Sequence, residues 1–195
     1  MTKPEKKQEI LQAALQVFAR YGFKKATVED VAKEVGMTKS NIYFYVSGKK
    51  NLYEQAIRSA LTKWRESVAA AISEKENAVE KFTVMAVQSY QYLANDEDLR
   101  AILIMDPGIF TLTPAEDRFF EINQGAMLLI RDILVQGIDE GVFIEVDVDH
   151  TAQFLFSVYI MFLIKTYIKS EGVSAFHMYE QGATLVLRGL CRNNP

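Results

Sequence analysis

The stretch "TVEDVAKEVGMTKSNIYFYVSGKKNLY", residues 27–53, sets two short apolar-periodic segments on either side of a glycine and ends in tyrosines and lysines. Thr27 opens the first segment. A threonine oxygen caps a helix start, and Asp30, three residues on, can return the bond. Val28, Val31, Ala32 and Val35 recur at helical spacing and give this short helix an inner face. Gly36 supplies the turn, because glycine tolerates backbone angles that stop one helix and start another. Thr38 caps a second helix whose Ile42 and Val46 point back to a core. Lys39, Ser40, Asn41, Tyr43, Phe44 and Tyr45 are left outward.

Two helices joined by a glycine turn form the helix-turn-helix pattern, whose second helix lies in the major groove of DNA. The outward residues suit that place. Lysine donates to guanine edges, asparagine bonds adenine, serine adapts to either, and an aromatic ring meets the thymine methyl. Thr27, Tyr43, Tyr45 and Lys49 can donate to phosphates, and the amides of the helix start near Lys49 add an anion site. Charge points the same way. Residues 1–50 carry 10 Lys or Arg against 5 Asp or Glu, and the remainder carries 12 against 20. These balances of +5 and −8 make up the overall −3, so a basic N-terminal module rides on an acidic body.

Around this stretch helical periodicity dominates, and nothing alternates strictly enough for a strand. A first helix is expected over about residues 5–21, with Ile10, Ala14, Val17, Phe18 and Tyr21 on one face and Gly22 at its end. A long helix follows over about 48–73, then helices over 75–95, 97–105, 115–139, 148–170 and 174–191. "MDPGIFTLTPAED", residues 105–117, reads as a loop, and "QGIDEGVFIEVDVD", 136–149, as a helix end and connector. The expected fold is all-α. A helix-turn-helix DNA-binding domain covers residues 1–50, and a larger helical domain covers 51–195. With 195 residues, 49% of them hydrophobic, the chain has ample material for a core.

The run "ILQAALQVFARYGFKKATVEDVAKEVGMTKSNIYFYVSGKKNLYEQAI", residues 10–57, resembles the DNA-binding domain of the TetR (tetracycline repressor) family of transcriptional regulators. Ile10, Ala13, Ala14 and Phe18 match its first helix, and Gly22 and Thr27 the turn into the second. Val31, Ala32 and Gly36 match the second helix and its turn; Ile42, Tyr43, Tyr45, Lys49 and Leu52 match the recognition helix and its exit. Val46 departs from the phenylalanine more usual there but keeps the site apolar. The resemblance implies that Thr27, Tyr43 and Lys49 hold phosphates, and that Lys39, Ser40, Asn41 and Phe44 face bases. Thr38, at the helix cap, and Tyr45 complete the expected DNA-binding set. It further implies a regulator, a repressor, that leaves a palindromic double-stranded operator when a small effector binds.

The same resemblance implies a homodimer through the helices over about 148–170 and 174–191, paired as a four-helix bundle. The residues themselves fit. In the first helix Phe154, Val158 and Met161 lie on one side, Phe156, Ile160 and Tyr167 on another, and Leu155, Tyr159 and Phe162 between; a helix apolar nearly all round is covered on most sides. In the second, Phe176, Tyr179, Ala183, Val186 and Leu190 form a stripe, with Gly182 allowing close approach. A monomer core built from large residues would show the same pattern. For the effector, helix 115–139 offers Phe120, Asn123, Met127, Ile130 and Leu134, and helix 75–95 offers Phe82, Met85, Ala86, Ser89 and Leu93. The candidate effector-binding residues are Phe82, Met85, Ser89, Phe120, Asn123 and Met127. Asn123 and Ser89 fit either a pocket wall or a bond to neighbouring backbone. Methionine and phenylalanine in this set favour a lipophilic effector.

Other chemistry finds little support. His150 and His177 lack a second ligand at metal spacing, and one cysteine, Cys191, excludes an internal disulfide framework. The start, "MTKPEKKQEI", lacks the apolar core of a signal peptide, and the apolar run Phe154–Ile164 falls short of the ~20 residues that span a bilayer. The expectation is a soluble, cytoplasmic protein without cofactor, metal or membrane partner. A rival reading is a DNA-binding protein without effector control. Another is a small helical enzyme, for which the chain offers no glycine-rich phosphate loop and no histidine–nucleophile pair.

Overall fold

The computed structural model describes residues 2–111, 116–169 and 172–192, and the fold is all-α. Its helices are α1 (Lys3–Lys25), α2 (Val28–Glu34), α3 (Lys39–Ile42), α4 (Lys49–Ser73), α5 (Ala78–Asn95), α6 (Glu97–Met105), α7 (Phe120–Asp139), α8 (Val148–Leu163) and α9 (Gly172–Leu190). A 3-10 turn, Pro107–Ile109, follows α6, and a π turn, Ile164–Ile168, follows α8. The expected loop 105–117 and the expected ends at 115 and 170 lie partly outside the described residues.

Two compact units divide the chain. The first comprises residues 1–63 and 96–106, the second 64–95 and 107–195. This compact division falls within α4. Leu52, Tyr53, Ala56, Ile57, Ala60 and Leu61 are buried, so the first half of α4 is core, and α6 packs on α1.

In the first unit, α1 starts from a capping box: the Glu5 amide donates to Thr2 Oγ1 and the Thr2 amide to Glu5 Oε2. Gly22 interrupts the helical path where an end was expected, at a kink between the long first part of α1 and its short last turn. The Gly22 φ of 72° and ψ of 160° are open to glycine alone, and one more turn runs to Lys25. Ile10, Ala14, Val17 and Phe18 are buried as expected, but Tyr21 is 48% exposed. The chain bends directly after Tyr21, and the Arg20 guanidinium lies 5.8 Å over its ring.

In the second unit, α5 and α7–α9 pack together with α7 against α8 and α5 against α9. The connector after α7 turns at Gly141 (φ 73°) and drives Phe143 into the core, where its ring occupies the space a Cβ on Gly137 would need. Ile144 donates to the Leu190 carbonyl at 2.8 Å and Arg192 to Val142 at 3.0 Å, an isolated antiparallel bridge rather than a strand. The expected helix 148–170 is not one regular helix. α8 ends at Leu163, and the π turn inserts buried Thr166, whose hydroxyl meets that of Tyr90. Together they make a 21-residue stretch, Val148–Ile168, long and apolar enough by composition to cross a membrane; it packs against α7 and α9. Gly182 is not a point of close approach within the chain, since a Cβ there would meet nothing within 4 Å.

Candidate nucleic-acid interface and effector cavity

The helix-turn-helix is assembled by local caps. Thr27 Oγ1 accepts the Asp30 amide at 3.1 Å and donates to Asp30 Oδ2 at 2.7 Å, while the Thr27 amide donates to the same carboxylate oxygen at 2.9 Å. The Thr27 hydroxyl and then its amide hold the Asp30 carboxyl below the usual carboxylate range. Gly36 takes φ 64° at the turn, and Thr38 Oγ1 accepts the Asn41 amide at 3.3 Å to start α3. α3 is short, but amides from Tyr43 to Val46 still reach back to carbonyls of residues 39–42, so the helical path continues to Val46.

Ile42 and Val46 are buried, which turns the opposite face outward. Lys39, Ser40, Asn41, Tyr43 and Phe44 are exposed, Phe44 at 76%. At that exposure the Phe44 ring contributes little to the packing of its own unit. Tyr45 is half-buried. Lys49, at the start of α4, donates to the Lys24 carbonyl at 3.2 Å, with its ammonium 4.7 Å over the Phe23 ring.

The second unit holds a cavity of about 400 Å³ between α7 and α8. Phe120, Asn123 and Met127 line it from α7, and Ala152, Phe156 and Ile160 from α8. Asn123 Nδ2 donates to Asp117 Oδ2 at 2.8 Å, and Arg131 Nε to Asp149 Oδ1 at 2.8 Å, so both ends of the groove are polar. Phe82, Met85 and Ser89 are not part of this lining. Phe82 is buried, Met85 half-buried, and the Ser89 hydroxyl donates to the Ala86 carbonyl at 3.2 Å.

The Ser89 face of α5 is occupied by aromatic side chains. Trp64 Nε1 (2.9 Å) and the Tyr159 hydroxyl (3.0 Å) both donate to the Ser89 carbonyl, and the Tyr179 hydroxyl donates to that of Ala86 (3.1 Å). Tyr90 stacks on Tyr179 with centroids 4.8 Å apart and lies 5.0 Å from Phe176. Burial pushes the Tyr179 phenol up to about 12 and Tyr159 well above its ordinary value, so both stay protonated donors. The cavity described here is therefore built by α7 with α8, and the Ser89 face of α5 lies outside it. The α8 contribution was not anticipated: 149, 153, 156 and 160 lie at helical spacing, but all-round apolarity hid which face they formed.

An outward recognition helix on a buried helix-turn-helix, with a separate helical domain, defines a DNA-binding transcriptional regulator. Residues 10–56 match the family described as bacterial regulatory proteins, tetR family. These residues form a TetR-family DNA-binding domain. The fatty acid metabolism regulator protein of Bacillus subtilis (strain 168) is 26% identical over 139 residues, 71% of each chain. The HTH-type transcriptional repressor KstR2 of Rhodococcus jostii (strain RHA1) is 26% identical over 196 residues, covering 96% of this chain and 92% of that one. Among solved structures, the transcriptional regulator FadR from Bacillus subtilis, in complex with stearoyl-CoA, superposes with TM-score 0.75 at 22% identity, covering 93% of this chain and 98% of its own.

Proposed function

We propose that this chain is a cytoplasmic repressor that binds a twofold-symmetric operator as a homodimer and leaves it when a lipophilic effector binds. Residues 1–50 act as the DNA-binding domain and 51–195 as the effector and dimerisation domain. Lys39, Ser40, Asn41 and Phe44 read bases, while Thr27, Tyr43, Tyr45 and Lys49 hold phosphates and Thr38 fixes the reading helix. The dimer reading is supported by large apolar side chains left uncovered on α8 and α9. Phe154 is 60% exposed, Met161 41%, Met178 44% and Leu185 67%. A second copy covers such a face symmetrically, and twofold symmetry suits a palindromic site.

The observation that carries the effector reading is the α7–α8 cavity, apolar across Phe120, Met127, Phe156 and Ile160 and polar at Asn123 and Arg131. Its volume lies within the range of small-molecule sites. The Bacillus subtilis relative is named as a fatty acid metabolism regulator, and the similar FadR was solved with stearoyl-CoA. A fatty acyl thioester is therefore the first effector class to try. Coupling of ~1–3 kcal/mol between effector and operator would be ordinary, and linkage makes it reciprocal.

The test starts with selection of bound sequences from random duplex DNA, expected to return a palindrome or near-palindrome. Release of that operator is then followed by fluorescence anisotropy with a chain-length series of acyl-CoA thioesters, with coenzyme A alone as control. Asn123→Leu should weaken the response and leave operator affinity of the free protein nearly intact. Absence of release by every thioester at saturation would refute this effector class. Loss of DNA binding in Asn123→Leu without ligand would make Asn123 structural.

A further inference from the structure

Lys49 begins α4, Phe23 and Lys24 end α1, and the three meet only because Gly22 bends α1. At φ 72° and ψ 160° Gly22 redirects its last turn, bringing the Lys24 carbonyl to 3.2 Å from Lys49 Nζ and the Phe23 ring to 4.7 Å from it. The ring is itself held. Phe23 lies 4.9 Å from Tyr53 and 6.2 Å from Phe18, both buried, yet it is 40% exposed on its other side. A lysine ammonium has three N–H donors. One goes to the Lys24 carbonyl and the aromatic face attracts the charge, which leaves donor capacity for a further acceptor.

We infer that Phe23 is a positioning residue for DNA binding: with the Lys24 carbonyl it holds the Lys49 ammonium in place before a backbone phosphate arrives. This rests on the reading of Lys49 as a phosphate contact. A free lysine loses rotamer entropy when it pairs with a phosphate. Lys49 has lost much of that freedom already, so the contact forms at lower cost. Phe23 carries no base information, and its contribution is the same on any duplex.

The experiment compares full-length wild type, Phe23→Leu, Phe23→Tyr, Lys49→Ala and the Phe23→Leu/Lys49→Ala double variant, each checked for a cooperative melt. Affinity for the selected operator and for an unrelated duplex is measured across a salt series. Phe23→Leu should weaken both duplexes equally, by about 2- to 5-fold, the range of an exposed cation–π contact. Phe23→Tyr should restore wild-type affinity, and Phe23→Leu should add nothing in the Lys49→Ala background. In the free protein, NMR should show the Lys49 ε-methylene protons shifted upfield by the ring, a shift lost in Phe23→Leu. That spectrum decides the geometry even if Phe23→Leu binds poorly for lack of stability. Losses that multiply in the double variant, or an unshifted Lys49 resonance in wild type, would overturn the inference while leaving the phosphate reading intact. If Lys49→Ala kept full affinity and the wild-type salt slope, the phosphate reading would fall and this inference with it.

Discussion

Tyr53 and Asp106 stand 53 residues apart in sequence, and the Tyr53 hydroxyl donates to Asp106 Oδ2 at 3.0 Å. The bond fastens α4 to the end of α6 inside the N-terminal unit, beneath the Phe18–Phe23–Tyr53 ring cluster. It gives a segment far along the chain a place beside the DNA-binding helices. Tyr53→Phe keeps the ring packing and removes the donor. It should lower stability by about 1 kcal/mol, read as a lower urea midpoint at unchanged m-value. An unchanged midpoint would mean that water replaces the bond at no cost.

Gly137→Ala should be the more damaging change. A Cβ at Gly137 would stand 2.0 Å from Phe143 Cδ2, and both residues are buried. The ring has to move from a packed site, at a cost of about 3 kcal/mol, in the upper range for overpacking. Gly189→Ala is the control, because a Cβ there meets nothing within 4 Å. Equal thermal midpoints for the two variants would show that Phe143 relocates freely.

His150 and Asp147 form the pH-sensitive pair at the start of α8, with His150 Nδ1 2.9 Å from Asp147 Oδ2. The Asp147 side chain, first by hydrogen bond and then by charge, raises His150 above its ordinary 6.5. The sign follows from that direction. The contribution to stability is fully present below pH 6.5 and fades as pH rises through the higher folded value. An NMR titration should therefore place His150 above 6.5 in wild type. Asp147→Asn, which can still cap α8, should bring it down. A titration unmoved by that substitution would assign the shift to another group.

Lys39→Ala on α3 and Lys49→Ala at the start of α4 should have different signatures on operator variants. If Lys39 bonds a guanine, its loss should relax preference at one position of each half-site by ~1–3 kcal/mol. Loss of Lys49 should weaken all duplexes alike and reduce the salt slope by about one. Matching profiles would end this division of roles.

The helix-turn-helix was legible in residues 27–53 because what builds it is local. The Thr27–Asp30 box, the Thr38 cap and the left-handed Gly36 each act within a few residues, and a period of 3.6 then settles that Ile42 and Val46 go in and Phe44 goes out. Gly22 was legible only as a break. Whether a glycine ends a helix or bends it depends on what the next turn packs against, here the Phe23 ring against Phe18 and Tyr53.

Beyond residue 50 the sequence determined helices and apolar faces, and only the tertiary structure decided which faces meet. Ser89 and Asn123 look alike as polar breaks in apolar stripes. One lies under Trp64 and Tyr159 in a filled core, and the other opens on a cavity with α8. α6, read as one more helix of the C-terminal part, belongs to the N-terminal unit through α1 and Tyr53. The physical reason is that burial of apolar surface is non-directional. Periodicity says that a face will be covered; its partner is chosen by the packing of all the helices at once, among residues many turns apart.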